Sequence, residues 1–332
     1  MHIQTNTFIS DALLIQALKV GATDVHLSPS NDGYCVYYRI TGVMTFVQRI
    51  SIEESKKLSN HFKYVVGMDI SERRHSQSKA FEYKWNETPI AMRISTLPTT
   101  PLESIAIRIL NSASLQPLQT LSPFKKDKHH FNQLLNATPG LVLVTGSTGS
   151  GKTTTIYSII KQLVEKQRYR IISVEDPIEH RIEGMTQVEI QTRGGLSFKH
   201  ALRAILRHDP DIIVIGEIRD QATAAIAVQA ANTGHVVIAS LHVTNSFSTL
   251  ERLRDLGIES SLSCIQAILY QKLVTQKEGG NRMAIFDWLL GKELKEAMDG
   301  VQLQAPFLTV TKKAWAIGMI DDETCMRLSQ TR

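Results

Sequence analysis

The chain has 332 residues, 42% of them hydrophobic and 21% charged, the balance of a soluble globular protein with one large or two ordinary domains. Its net charge of +5 is mild and dispersed, and its 6% of aromatic residues do not interleave with basic ones, which argues against a nucleic-acid reader. No apolar run approaches the roughly 18–20 residues of a membrane span. The three cysteines, Cys35, Cys264 and Cys325, lie too far apart for a C-x-x-C redox pair or a zinc knuckle and are expected to be reduced.

The N-terminus holds Asp11 early and has no cationic leader, so it does not read as a secretory signal. Leu13, Leu14, Ala17 and Leu18 instead fall on one face of an amphipathic helix over 10–20. Short alternating strands follow at Asp24–Ser28, Gly33–Ile40 and Val43–Val47, then a helix near Ile52–Val66. Further strands are expected at Ala80–Trp85, Ile90–Thr96 and Ser104–Ile109, completing a mixed domain over 1–112. Residues 113–127, with Pro117 and Pro123 and little periodicity, read as a linker. The basic cluster from Lys125 to His130 is broken by Asp127 and reads as a solvated face. From Lys128 to the end, helices and apolar strands alternate, which predicts a parallel sheet covered on both faces, with a helical tail from about Leu289. The fold class is α/β.

Gly146-Ser147-Thr148-Gly149-Ser150-Gly151-Lys152-Thr153 fits G-x-x-x-x-G-K-[ST]. Its glycines let successive backbone N–H groups turn inward on a triphosphate, Lys152 reaches the β/γ-phosphates, and the Thr153 hydroxyl ligates Mg²⁺. The context is right: Leu141–Thr145 reads as a buried strand, and a helix runs from Thr154 to Lys166, presenting its N-terminus to the anion. ATP and Mg²⁺ are therefore the expected ligands.

Four further clusters point to phosphate chemistry. A β-branched strand from Ile171 ends in Glu175, Asp176 and Glu179, and ligands gather at the C-terminal ends of parallel strands. A second apolar strand from Asp211 runs into Gly216 and Glu217, the shape of a Walker B element. Glu217 is suited to the Mg²⁺ shell or to the attacking water, and Gly216 to close approach of the nucleotide. A third strand has His235 before it and His242 after it; with no third ligand the pair makes a poor metal site, and His242 is placed to sense the γ-phosphate. Finally, Arg93 and Arg108 lie on strands of the first domain. They are candidates to stabilise transition-state charge, or else structural ion-pair formers.

Together these residues resemble the secretion ATPase superfamily that powers type II secretion, type IV pilus assembly and DNA uptake. Val174-Glu175-Asp176-Pro177-Ile178-Glu179 matches the family's aspartate box. Thr233-Gly234-His235 with Leu241-His242-Val243-Thr244-Asn245 matches its histidine box, and Gly216-Glu217-Ile218-Arg219-Asp220 its Walker B signature. The resemblance spans about residues 10–325. It implies a PAS-like N-terminal α+β domain followed by a RecA-like P-loop ATPase domain. It also implies a cytoplasmic homo-hexamer, peripheral on the inner face of the cell membrane, that docks on a polytopic membrane protein and moves pilin-like subunits. Glu217 is then the Walker B acid, Glu179 the preferred water-activating residue with the two roles exchangeable, and His242 the sensor. The nucleotide-site arginines of the family correspond best to Arg74, Arg93 and Arg108.

Three departures narrow the resemblance. The four-cysteine zinc module of double-membrane bacteria has no counterpart in Gln271–Gly280, their long docking domain is missing, and so is the C-terminal signature of retraction motors. The chain is most similar to the short, zinc-free competence ATPases of Gram-positive bacteria. The motif R-x-P-Q-D-G-R is degraded to Arg74–Ala80, which weakens an arginine-finger role there. The expected function is an ATP-driven motor that assembles a competence pseudopilus. The alternatives are a pilus retraction motor, a DNA translocase or helicase, and an ATP-binding scaffold without turnover.

Overall fold

Short segments with two-residue apolar periodicity in the first unit, such as Gly33–Ile40, form strands, and the amphipathic segments between them form helices. The computed structural model describes residues 9–40, 42–86, 88–110, 117–190, 197–258, 262–277, 282–301 and 306–330. The chain divides into two compact units, Met1–Ser114 and Leu115–Arg332.

The first unit comprises α1 (Ile9–Lys19), β1 (Ala22–Ser30), β2 (Gly33–Ile40), β3 (Val43–Ser51), α2 (Ile52–Val65), β4 (Gln77–Trp85), β5 (Thr88–Leu97) and β6 (Ser104–Leu110). They form one six-stranded sheet in the order β3-β2-β1-β6-β5-β4, with every neighbour antiparallel. Val25, Leu27, Val36, Tyr38, Ile105 and Ile107 share a core with Leu13, Leu14 and Ala17 of α1 and with Leu58 and Phe62 of α2. Ser51 starts α2 by accepting the Glu54 N–H and donating to the Glu54 carboxylate at 2.9 Å. This is the α+β, PAS-like arrangement expected, with strands extended beyond their apolar centres by ladder pairing. Lys63 Nζ and Glu103 Oε2 meet at 2.5 Å inside it, with both side chains buried.

In the second unit α3 (Lys125–Leu134), β7 (Gly140–Thr145), α4 (Lys152–Glu165), β8 (Ile171–Glu175) and β9 (Thr186–Glu189) precede α5 (Phe198–Ile205), β10 (Ile212–Ile215), α6 (Gln221–Asn232), β11 (Val236–Leu241) and α7 (Phe247–Asp255). They are followed by β12 (Ile265–Thr275), β13 (Arg282–Leu290), α8 (Gly291–Met298), α9 (Pro306–Ala316) and α10 (Asp322–Gln330). The seven strands are ordered β13-β12-β7-β11-β10-β8-β9, parallel except for β13 against β12. β11 thus separates the P-loop strand β7 from the Walker B strand β10, the RecA-like order.

Both faces of this sheet are covered, which is why its central strands are continuously apolar. Val142, Val144, Val214 and Ile238 pack with Ile156, Ile159 and Leu163 of α4. Leu141, Leu143, Ile213 and Val237 pack on the other side with Leu202 of α5 and Ala224, Ala227 and Ala231 of α6. The early part of the expected linker and residues 302–305 and 331–332 of the expected tail lie outside the described residues. From Leu118 onward the expected linker is part of the second unit, because Leu118 is fully buried beside Phe131.

Candidate nucleotide site

Four parallel strands end at one edge of the second sheet, and each delivers one motif there. β7 runs into the P-loop, β8 into the aspartate box, β10 into Gly216 and Glu217, and β11 into His242.

The P-loop backbone needs its glycines. Gly146 has φ +147°, and a Cβ there would sit 2.5 Å from the Gln271 carbonyl oxygen. Gly151 caps α4 in the left-handed region at φ +88°. Ser147, Thr148 and Gly149 are exposed at the loop's rim, whereas Ser150 is buried. Lys152 Nζ donates to the carbonyls of Gly146 at 2.8 Å and Ser147 at 2.9 Å. Burial draws the Lys152 ammonium below its usual range, and the nearby Glu217 carboxylate opposes that. Thr153 and Thr154 occupy the first turn of α4 beside it.

The acids take different roles. Glu217 accepts from Arg219 Nε at 2.8 Å, and Arg219 Nη1 lies 3.6 Å from Asp176 Oδ2, so one guanidinium joins the Walker B strand end to the aspartate box. Glu175, expected at the nucleotide, turns inward and is 7% exposed. It accepts hydrogen bonds from Tyr157 Oη, from Ser173 Oγ at 2.5 Å and from Gln187 Nε2 at 3.1 Å. The chain then passes Pro177 through a cis peptide bond to Glu179, which is half-buried. Gly216, expected beside the nucleotide, faces β8: a Cβ there would lie 3.3 Å from the Val174 carbonyl oxygen, so small size serves strand packing.

His242 Nε2 lies 2.5 Å from Thr148 Oγ1 of the P-loop. His235 stands at the opposite end of β11, with Nδ1 3.0 Å from the Ala230 carbonyl oxygen, and belongs to the turn after α6. Sequence reasoning missed Gln271, which is fully buried on β12 and donates from Nε2 to the Ser150 carbonyl at 2.7 Å. No local pattern marks it, because the contact spans 121 residues.

In the first unit, Arg93 and Arg108 are direct cross-strand partners on β5 and β6, and Arg108 in turn opposes Asp24 and Arg39 through β1. Arg108 Nε binds Asp24 Oδ1 at 2.9 Å while its side chain stays 67% exposed. Burial pushes the Asp24 carboxyl up, but hydrogen bonds from Arg108 and Thr23 outweigh it and hold the group below its ordinary value. Arg93 Nε donates to Ser78 Oγ at 2.9 Å. Arg74 lies in the turn before β4, where its backbone N–H donates to Glu72 at 2.7 Å.

Comparison with known proteins agrees with this arrangement. Residues 3–304 match the family model described as type II/IV secretion system protein. Competence protein ComGA of Halalkalibacterium halodurans is 39% identical over 308 residues, covering 87% of this chain and 88% of that protein. ComGA of Bacillus subtilis is 34% identical over 87% of this chain and 86% of its own length. Among solved structures, the pilus retraction motor PilT with bound ADP superposes with a TM-score of 0.80 at 29% identity, covering 97% of each chain. Carrying a P-loop, an aspartate box, Glu217 and the His242 end of a histidine box on one sheet edge, the chain belongs to the type II/IV secretion system protein family and is one of its ATPases.

Proposed function

We propose that this protein is an ATP-hydrolysing motor that assembles a competence pseudopilus for DNA uptake. The observation that carries this reading is the similarity to competence protein ComGA along 87% of this chain, which itself carries the acids and the P-loop. The motor works as a homo-hexamer on the inner face of the cell membrane, docked on a polytopic membrane protein and acting indirectly on pilin-like subunits. Among the described residues no helix is long and apolar enough to cross a membrane.

In this reading the P-loop from Gly146 to Thr154 cradles ATP, with Lys152 turning from its own loop carbonyls to the β/γ-phosphates. The Thr153 hydroxyl and the Glu217 carboxylate would hold Mg²⁺. They fit it: the ion takes one or two protein oxygens and completes its shell with phosphate and water, and Glu217 lies close enough to Lys152 to perturb its ammonium. When bound, Mg²⁺ neutralises charge on the phosphates. Glu179 activates the water, Asp176 and Arg219 hold Glu217 in line, and His242 senses the γ-phosphate.

The likeness to PilT favours a second reading, a retraction motor on the same fold. Steady-state ATPase assays on the wild type, Lys152→Ala and Glu217→Gln, with mass determined in parallel, test the motor itself. Mg²⁺-dependent turnover lost in both variants, in a hexamer, is expected; turnover that survives Glu217→Gln would sink the site assignment. Deletion in a competent host separates the two directions. Loss of surface pseudopilus supports assembly, and excess pseudopilus supports retraction.

A further inference from the structure

Tyr157 lies on α4, one turn beyond Thr153, and is 2% exposed. Its hydroxyl donates to the Glu175 carboxylate. The same oxygen accepts the backbone N–H groups of Glu179 and His180, each at 3.3 Å. The His180 ring packs edge-on against the tyrosine ring, with centroids 5.2 Å apart and planes at 89°. Gln187 of β9 ties the same turn from the other side, donating to the His180 carbonyl at 2.8 Å and accepting the Ile182 N–H at 2.9 Å. A buried hydroxyl that serves one donor bond and two acceptor bonds has its whole capacity committed, here to the end of β8 and to the turn that follows it. The turn it holds carries Glu179.

We propose that Tyr157 is the positioning residue that sets Glu179 against the P-loop, so that the helix starting at the phosphates and the acid of the aspartate box move as one piece. This rests on the reading of Glu179 as the water-activating group. The physical case is geometric. Aspartate-box residues after Glu175 leave the sheet, and a turn without ladder partners takes its place from side-chain bonds. α4 begins at Lys152, so a bond from its second turn references Glu179 to the element that grips the phosphates. Glu175 is the ballast of the arrangement: its inward carboxylate orients the hydroxyl so that the lone pairs face the two amides. Burial and the Glu175 charge both hold the Tyr157 hydroxyl protonated, so the donor persists across the physiological range. Small errors in placing a general base are costly, which gives such a tie kinetic weight.

The test is a double-mutant cycle on the full-length chain with Tyr157→Phe, Glu179→Gln and the combined variant, measuring ATP turnover and the affinity of a fluorescent ADP analogue. Tyr157→Phe is expected to lower kcat about tenfold, through loss of the two weak hydrogen bonds to the turn together with the donor bond to Glu175, with ADP affinity within about twofold of wild type. The combined variant should be no slower than Glu179→Gln alone, because a positioning residue has nothing left to position. Multiplying effects, or full turnover in Tyr157→Phe, would overturn the proposal while leaving Glu179 as the base. Full turnover in Glu179→Gln would overturn the reading of Glu179 itself and the positioning role with it. Hydrogen exchange provides a readout independent of turnover: the Glu179 and His180 amides should exchange at least about tenfold faster in Tyr157→Phe, with the amides of α4 unchanged. Unchanged exchange at 179 and 180 would refute the tie directly. If Tyr157→Phe does not fold, Glu175→Gln replaces it, since it loosens the same hydroxyl without changing the ring.

Discussion

His242 Nε2 and Thr148 Oγ1 lie 2.5 Å apart, so the residue after β11 closes onto the rim of the P-loop. Neither group is within ten residues of the other's motif, yet the parallel pairing of β7 with β11, Thr145 opposite Leu241, brings both to one place. A histidine held on the phosphate loop can report whether the loop is filled.

That contact makes a kinetic prediction. His242→Ala should lower turnover about 10- to 100-fold, the loss of one hydrogen bond to a charged group, with ADP affinity little changed. Thr148→Val should have a smaller effect, because it removes the imidazole's support and leaves the imidazole. Steady-state kinetics with separate ADP titration distinguish the cases. An equal loss of affinity and turnover would make His242 a ground-state binding residue instead.

Asp287 on β13 predicts a pH dependence of stability. It is 2% exposed, and burial pushes its carboxyl up to about 6, against the hydrogen bond it accepts from Ser246 Oγ at 2.5 Å and with Glu293 adding to the rise. A raised folded-state value means the favourable contribution is complete below the unfolded value of 3.8 and is lost as pH climbs to about 6. The shift corresponds to about 3 kcal/mol. Asp287→Asn should therefore gain on the wild type by roughly that amount between pH 4 and pH 7, in denaturant titrations at stepped pH. Parallel curves would show that Asp287 does not carry the buried charge.

In the first unit, the buried pair of Lys63 and Glu103 predicts an asymmetry between single and double substitutions. Lys63→Met alone strands a carboxylate in the core and should cost about 3–5 kcal/mol. Lys63→Met with Glu103→Leu should recover most of it, since the uncompensated charge is gone. Urea unfolding of the full-length chain reads both. A double variant left as unstable as Lys63→Met alone would mean that the ion pair is net stabilising over its apolar replacement.

The residues alone determined the P-loop, the strand before it and the helix after it, because glycine spacing and phosphate chemistry are local. They also determined that the strand ends bearing Glu217 and His242 share an edge, since the strands alternate with helices and must run parallel. The six strands of the first unit were legible from two-residue periodicity. The strands β9, β12 and β13 were not read as such. β12 and β13 are apolar runs that local pattern leaves ambiguous between strand and helix, and only their pairing with β7 and with each other settles them.

What the tertiary structure decided is which way the acids face. Glu175, Asp176 and Glu179 are equivalent as letters in a motif. Glu175 shares a strand face with Ser173, and α4 covers that face with Tyr157, so its carboxylate is spent inside. Asp176 and Glu217 are joined by Arg219, and Gln271 supports the P-loop from a strand 121 residues away. The sequence names the groups that can do chemistry on a phosphate. Only packing, which depends on contacts remote along the chain, sorts those that face the nucleotide edge from those that hold them there.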